Sequence, residues 1–212
     1  MTADSIQFTK LEIQIAKYLF KHYRERYNAR QLARTLDINH AHANKLCSVL
    51  FSKKLLVKED IGNSTYFLYN YEDRLAIKFI EYMLSLEEKE FPRWLAVILH
   101  SLQKFRQYTQ IGLVFGSSIH NEYFNDIDVL LVYDKKASDN VKKIKEEIRK
   151  SELVEKPIRY VDITEKDMIS HKEDKVFYSI LTNNLIFHNS EKYVEVLRNL
   201  RRISGTTKKQ VL

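Results

Sequence analysis

The segment IGLVFGSSIHNEYFNDIDVLLVY, residues 111–133, decides the fold of the larger part of this 212-residue chain. It begins and ends with short apolar runs, 111–115 and 127–133, and most residues in between are polar. Apolar runs of this length, bounded by turn-forming residues, are typical of buried β-strands. The segment therefore predicts two buried strands, with polar residues where one ends and the other begins.

Gly116 and Ser117 follow the first of these strands. A glycine lets a backbone turn approach a phosphate without a side chain in the way. Ser117 adds a hydroxyl at a position where the N-terminus of a helix would present free N–H groups. We expect this pair to bind the phosphates of a nucleoside triphosphate.

Asp126 and Asp128 stand at the start of the second strand. Residues two apart in a strand point to the same face, so the two carboxylates project together while Ile127 turns into the core. Adjacent carboxylates repel unless a cation neutralises them, and hard oxygen ligands near phosphates suit Mg²⁺ or Mn²⁺. The pair therefore predicts a metal site.

Asp162 lies in a third apolar run, 158–163, between Val161 and Ile163. An acid flanked by β-branched apolar residues is costly unless it has a task, so we expect it to be a third carboxylate of the same site, as metal ligand or base. Three acids suit two metal ions. One would activate the attacking oxygen and both would stabilise an in-line displacement at the α-phosphorus, with pyrophosphate leaving.

The order of these residues, Gly116 and Ser117, then Asp126 and Asp128, then Asp162 on a later strand, resembles the polymerase β superfamily of nucleotidyltransferases. More narrowly, the chain resembles the minimal nucleotidyltransferases over roughly residues 91–200. The resemblance implies a small mixed sheet flanked by helices. It also implies Mg²⁺-dependent transfer of a nucleoside monophosphate from ATP or another triphosphate to a protein, small molecule or nucleic acid.

Two features depart from the family pattern. The family usually has an arginine and a second glycine shortly after the Gly-Ser pair, whereas this chain reads SIHN at 118–121, and its spacing to the first aspartate is a residue or two shorter. His120, Lys135 and Lys136 are candidates for the missing positive charge. An inactive descendant that only binds nucleotide is the alternative to an enzyme.

The first 70 residues carry a different pattern, with three predicted helices. Capping boxes, in which the side chain of the N-cap residue and that of the residue three positions later bond to each other's backbone N–H, predict two helix starts. A third helix is predicted from Asn39. The two boxes are Thr9 with Glu12 and Asn28 with Gln31.

A hairpin is predicted after the third helix. Strand-like runs at 55–57 and 65–69 flank a turn at Gly62 and Asn63, which are residues typical of tight hairpins. A helix-turn-helix followed by a hairpin predicts a winged helix-turn-helix domain.

The third helix has an apolar stripe and a polar stripe. The apolar stripe is expected in the core, and the polar stripe is the predicted DNA-binding surface. Protein contacts and a merely solvated face are the alternatives. The apolar stripe is Ala43, Leu46, Cys47 and Leu50, and the polar stripe is His40, Asn44, Lys45 and Ser48.

The net charge of +7 suits a polyanionic partner, although a solvated basic surface is the simpler alternative. The excess is uneven, with 11 basic and 6 acidic residues up to position 70 and 24 against 22 beyond it. Any nucleic acid is therefore expected to meet the N-terminal third.

Several classes of protein are disfavoured by composition. The one cysteine excludes an internal disulfide framework, as expected in a reducing compartment. No signal-like segment and no apolar run near the roughly 20 residues of a membrane span are found. We therefore predict a cytoplasmic protein without membrane contact, and a homodimer on the precedent of winged-helix proteins.

The predicted architecture is α+β with two domains. Residues 1–70 form the winged helix-turn-helix domain, 71–90 a helical linker, 91–204 the nucleotidyltransferase domain and 205–212 a disordered basic tail. Further helices are expected at 72–86, 92–106, 139–151, 176–181 and 191–203, and a short strand at 185–187. Combined functions are also possible, as in an antitoxin that represses its own operon and nucleotidylates a toxin.

Overall fold

The computed structural model describes residues 7–151 and 156–207. The chain is α+β and divides after Met83 into two compact units. Within the described ranges, the first unit contains a three-stranded sheet and the second a four-stranded one. No helix in this part of the chain has the length and apolar character needed to cross a membrane.

The first unit consists of three helices and a small antiparallel sheet. Both predicted capping boxes form: Thr9 and Glu12 exchange side chain to backbone hydrogen bonds of 2.7 and 3.2 Å, and Asn28 and Gln31 exchange two of 2.9 Å. The elements are α1 Lys10–Lys21, β1 Tyr27–Asn28, α2 Ala29–Thr35, α3 His40–Ser52, β2 Leu56–Ile61 and β3 Ser64–Tyr69.

The predicted hairpin is confirmed. Strands β2 and β3 pair antiparallel up to Ile61 opposite Ser64, with Gly62 at φ +57° in the turn between them. The short β1 pairs with the other edge of β3. Because β1 immediately precedes α2, this pairing ties the start of α2 to the hairpin.

Helix α3 is amphipathic, as its sequence predicts. The four residues of the apolar stripe are buried. They share the core of this unit with side chains from α1, α2 and β3, among them Phe20, Leu32 and Phe67, which are at most 1% exposed. The opposite face of α3 is left in solvent.

Helix α4, Arg74–Glu87, follows the hairpin and runs across the division between the two units. The Asp73 carboxylate accepts hydrogen bonds from the backbone N–H groups of Leu75 and Ala76 at 2.8 and 3.0 Å, which starts the helix. The helix predicted at 72–86 is therefore confirmed, within the stretch assigned to the linker.

The second unit is built on a mixed sheet of order β6-β5-β4-β7. Strand β5 pairs antiparallel with β4 and parallel with β6, and β7 pairs antiparallel with the other edge of β4. The elements are α5 Ala96–Leu102, β4 Ile111–Phe115, β5 Ile127–Val132, α6 Ser138–Arg149, β6 Ile158–Ile163, α7 Glu165–Ser170, α8 Lys175–Thr182, β7 Asn184–His188 and α9 Ser190–Thr207.

The two faces of this sheet carry different side chains. One face packs on α5 and α6, where Val129 and Leu131 of β5 join Leu102 and Ile144 in a buried apolar cluster. Because side chains alternate along a strand, Asp128 and Leu130 point to the opposite face. This alternation decides which polar side chains can share a site.

Two predictions about the second unit need correction, and one of its helices was not predicted. The helix predicted at 92–106 is broken, since 3₁₀ turns at Arg93–Leu95 and Gln103–Gln107 flank the short α5. Helix α7 was not predicted, although Thr164 and Asp167 form a capping box at its start. The tail predicted from Gly205 is helical through Thr207, because one glycine costs a helix only about 1 kcal/mol. Residues 208–212 lie outside the described residues.

Candidate active site at the ends of β4 and β5

The backbone turns sharply at Gly116, directly after β4. Gly116 has φ +79° and ψ −157°, a conformation that side-chain-bearing residues rarely adopt. A three-residue 3₁₀ turn, Ser117–Ile119, follows in place of the helix N-terminus expected from the sequence. Ser117 is exposed, and its neighbour Ser118 is fully buried.

Gly116 lies against the carboxylate of Asp128. Residue Phe115 pairs with Asp128 across the two antiparallel strands, so the end of β4 meets the start of β5. A Cβ atom placed on Gly116 would lie 2.3 Å from Oδ2 of Asp128 and 3.3 Å from its Cγ. The Gly-Ser turn and the acid pair therefore occupy one place in the fold.

Asp126 and Asp128 influence each other electrostatically. Burial raises the pKa of the Asp128 carboxyl above its ordinary value, and the negative charge of Asp126 raises it further, while Arg159 acts in the opposite direction. Both carboxylates are partly exposed. The predicted pairing of these two acids is thus present, with the mutual repulsion that favours a bound cation.

Arg159 of β6 faces the same acids and was missed in the sequence. It stands opposite Asp128 in the parallel pairing of β5 and β6. Its Nη2 atom lies 2.8 Å from Oδ2 of Asp126, and its side chain is 73% exposed. Alternation along 158–163 would separate Arg159 from Asp162, but the register that brings Arg159 to Asp126 has no local signal.

Asp162 does not join the other two acids. It pairs with Leu131, three residues further along β5 than Asp128, so it lies on the opposite face of the sheet and about 10 Å along the strand. There it forms an ion pair with Lys145 of α6 and a hydrogen bond with Tyr133. The expectation of one three-carboxylate site is therefore wrong in its third member.

The candidate sources of extra positive charge lie at two different places in the fold. His120 is exposed beyond the 3₁₀ turn. Lys135 lines a cleft of about 320 Å³ together with Tyr133 and Asp162, near that second ion-paired cluster. Lys136 is exposed next to it in the chain.

The single tryptophan, Trp94, forms a hydrogen bond to the backbone of the turn that follows Gly116. Its indole Nε1 donates a 2.9 Å hydrogen bond to the carbonyl oxygen of Ser118. This contact is long-range in sequence and no local pattern indicated it. Because the indole contacts the turn and Trp94 is 39% exposed, a change in the turn would alter the environment of the indole and therefore the fluorescence of Trp94.

Within the part of the chain that the structure describes, two carboxylates are available to a metal ion at this site. Among residues 7–151 and 156–207 no group of three or more His, Cys, Asp or Glu side chains is placed to hold one. Mg²⁺, however, is commonly held by one or two carboxylates together with substrate phosphates and water. The two adjacent, partly exposed carboxylates of Asp126 and Asp128 fit that requirement.

The polar stripe of α3 forms a separate candidate surface in the first unit. His40, Asn44, Lys45 and Ser48 are all exposed. A cleft of about 280 Å³ runs beside them, and its lining includes Arg30 of α2. The hairpin supplies Asn63 of its turn and Ser64 and Thr65 of β3 to the same cleft, and α3 supplies His40 and Asn44.

Comparison with protein families, with curated proteins and with solved structures finds no match to the chain.

Proposed function

We propose that the second unit is a nucleotidyltransferase domain that moves a nucleoside monophosphate from a nucleoside triphosphate to an acceptor. One observation carries the proposal: the Gly116 turn lies in direct contact with the carboxylate of Asp128, beside Asp126. A phosphate-accepting turn and a cation-attracting acid pair are the two parts that such a transfer requires.

Each residue has a role that follows from its position. Asp126 and Asp128 would hold the Mg²⁺ that accompanies the triphosphate. Gly116, which has no side chain, accommodates the Asp128 carboxylate beside the turn, and the exposed hydroxyl of Ser117 would donate a hydrogen bond to a phosphate oxygen. A triphosphate held by these residues would be accessible to an acceptor from solvent, because Ser117 is exposed and both aspartates are partly exposed.

The transfer balances without a redox partner. An acceptor oxygen forms a bond to the α-phosphorus while the bond to the bridging oxygen of the β-phosphate breaks, and pyrophosphate leaves with that electron pair. The acceptor proton passes to water, because Asp162 lies on the far face of the sheet. Mg²⁺ supplies charge neutralisation of the attacking and leaving oxygens.

The test is transfer of label from α-³²P nucleoside triphosphates in Mg²⁺, with cell lysate as the source of acceptor. Asp126→Ala and Asp128→Ala are expected to abolish labelling. γ-labelled triphosphate is expected to leave no label on the acceptor, which separates nucleotidyl from phosphoryl transfer.

Asp162→Ala is the matched control, because it removes an aspartate of the same sheet that contacts Lys145 instead of the acid pair. It is expected to keep its labelling activity. Equal labelling by wild type, Asp126→Ala and Asp128→Ala would end the catalytic proposal. Nucleotide binding without any labelling would instead identify the second unit as a nucleotide sensor.

We propose further that the first unit is a winged helix-turn-helix domain that binds DNA. The observation that favours it is the cleft between the start of α3 and the hairpin turn, which is lined mainly by polar side chains and includes Arg30. Exposed amide and cationic side chains on a helix of this kind suit base edges and phosphates in the major groove. A dimer would recognise a palindrome.

DNA binding is tested with the upstream region of the gene that encodes this chain, at several salt concentrations. Lys45→Ala is expected to weaken binding at every salt concentration and to reduce the salt slope by about 1, as expected for one lost phosphate contact. Asn44→Ala is expected to weaken binding to the preferred site more than to random DNA. Lys10→Ala, at the exposed start of α1, makes the same change of charge and is expected to bind like wild type. DNA affinities of Lys45→Ala and Asn44→Ala equal to that of wild type would contradict the proposal.

A further inference from the structure

The contact between Arg159 and Asp126 contributes little to stability. Its Nη2–Oδ2 distance is 2.8 Å, but the arginine side chain is 73% exposed. Ion pairs exposed to this degree contribute little to the free energy of unfolding, since water screens the charges and the long side chain loses freedom. The position of Arg159 beside the acid pair therefore has no strong structural explanation.

The guanidinium of Arg159 has donors to spare. An arginine carries five N–H donors in a planar fork, and here Nη2 contacts Oδ2 of Asp126 while most of the side chain faces solvent. A planar fork of this kind matches the oxygens of a phosphate better than a lysine ammonium does. The register of β5 and β6 pairs Arg159 with Asp128, whose carboxylate lies against Gly116.

We propose that Arg159 binds a phosphate of the nucleoside triphosphate, and that it leaves Asp126 when the triphosphate enters with its metal ion. Before entry, Arg159 partly neutralises the two adjacent carboxylates. Once the carboxylates hold the metal ion, the guanidinium turns to the phosphate oxygens. This inference rests on the proposed nucleotidyltransferase function and adds to it the residue that grips the phosphates.

Loss of Arg159 is expected to have opposite effects on two ligands. For Mn²⁺ alone, Arg159 is a competitor at Asp126, so Arg159→Ala should tighten binding several-fold. For Mn²⁺ with triphosphate, Arg159 is a ligand, so the same variant should weaken binding about 10- to 100-fold, the range for one charge-assisted hydrogen-bonding side chain. A purely structural role would change both affinities in the same direction.

The experiment is calorimetric titration of the full chain with Mn²⁺, and with Mn²⁺ plus the non-hydrolysable α,β-methylene analogue of ATP. Trp94 fluorescence gives an independent readout of the second titration, because its indole contacts Ser118 at the turn. Arg159→Lys is expected to recover only part of the triphosphate affinity, since an ammonium cannot form the planar fork.

Arg149→Ala is the control. Arg149 is 72% exposed, and its Nη2 lies 2.8 Å from Oε2 of Glu146 on α6, so it forms a similar ion pair that does not involve Asp126 or Asp128. Its affinities are expected to equal those of wild type. If Arg159→Ala binds the Mn²⁺–triphosphate complex as wild type does while Asp126→Ala does not, the role of Arg159 is overturned and the site stands. If wild type binds no triphosphate, the proposed nucleotidyltransferase function fails, and the role of Arg159 with it.

Discussion

Replacement of Gly116 by alanine tests the packing at the centre of the candidate site. The backbone at φ +79° and ψ −157° is strained for any residue with a Cβ atom, at a cost of about 1–3 kcal/mol. The new Cβ would also lie 2.3 Å from Oδ2 of Asp128, so that carboxylate must leave its preferred rotamer for about 1 kcal/mol more. Gly116→Ala is therefore expected to lower the free energy of unfolding of the second unit by roughly 2–4 kcal/mol.

The loss is measured by urea denaturation followed through Trp94, which lies in the second unit. Gly62→Ala is the comparison, because Gly62 has φ +57° but nothing within 4 Å of an added Cβ. It should cost only the backbone term, about 1–2 kcal/mol, measured by circular dichroism of the first unit.

A double-mutant cycle separates the two terms at Gly116. Asp128→Ala removes the colliding carboxylate, so Gly116→Ala should cost less in that background by about 1 kcal/mol. A Gly116→Ala protein as stable as wild type would refute the strained turn. If the losses in free energy of unfolding are strictly additive in the cycle, the alanine side chain at 116 does not collide with the Asp128 carboxylate.

Three further predictions follow from burial and charge. Burial and the Asp126 charge raise the pKa of Asp128, so between pH 3.8 and that raised pKa the folded chain binds more protons than the unfolded chain. The free energy of unfolding therefore falls as the pH rises through this interval. Asp128→Asn should then stabilise the protein at pH 7 by under about 1 kcal/mol, given the partial exposure, with no gain left well below pH 3.8 in urea titrations. Burial raises the pKa of the Cys47 thiol to about 12, so a thiol-reactive disulfide reagent at pH 8 should modify Cys47 only in denaturant. Rapid labelling of the native protein would contradict the burial of Cys47 in the core. Gly112→Ala would put a Cβ 2.3 Å from the buried Phe187 ring, so it should lower the free energy of unfolding by about 1–3 kcal/mol in urea denaturation. Phe187→Leu in the same chain should recover part of this loss. A Gly112→Ala protein as stable as wild type would contradict this contact.

Local sequence signals predicted most of the elements. The Thr9–Glu12 and Asn28–Gln31 capping boxes, the Gly62 turn and the strands on either side of the Gly116 turn are all present. Each of these depends on hydrogen bonds or steric limits within a few residues. The broken helix at 92–106 was missed because its apolar spacing is helical, while its actual hydrogen bonding is 3₁₀ at both ends.

By itself, the sequence predicted that Asp126 and Asp128 face the same way, because alternation along a strand is a local property. It also predicted that Gly116 must lack a side chain, with an approaching phosphate as the reason, but the structure places the Asp128 carboxylate there. Only the tertiary structure decided which residue of β6 joins these acids, because the register of two parallel strands linked through α6 depends on how the intervening chain packs. That register brings Arg159 to Asp126 and turns Asp162 toward Lys145, on the other face of the sheet.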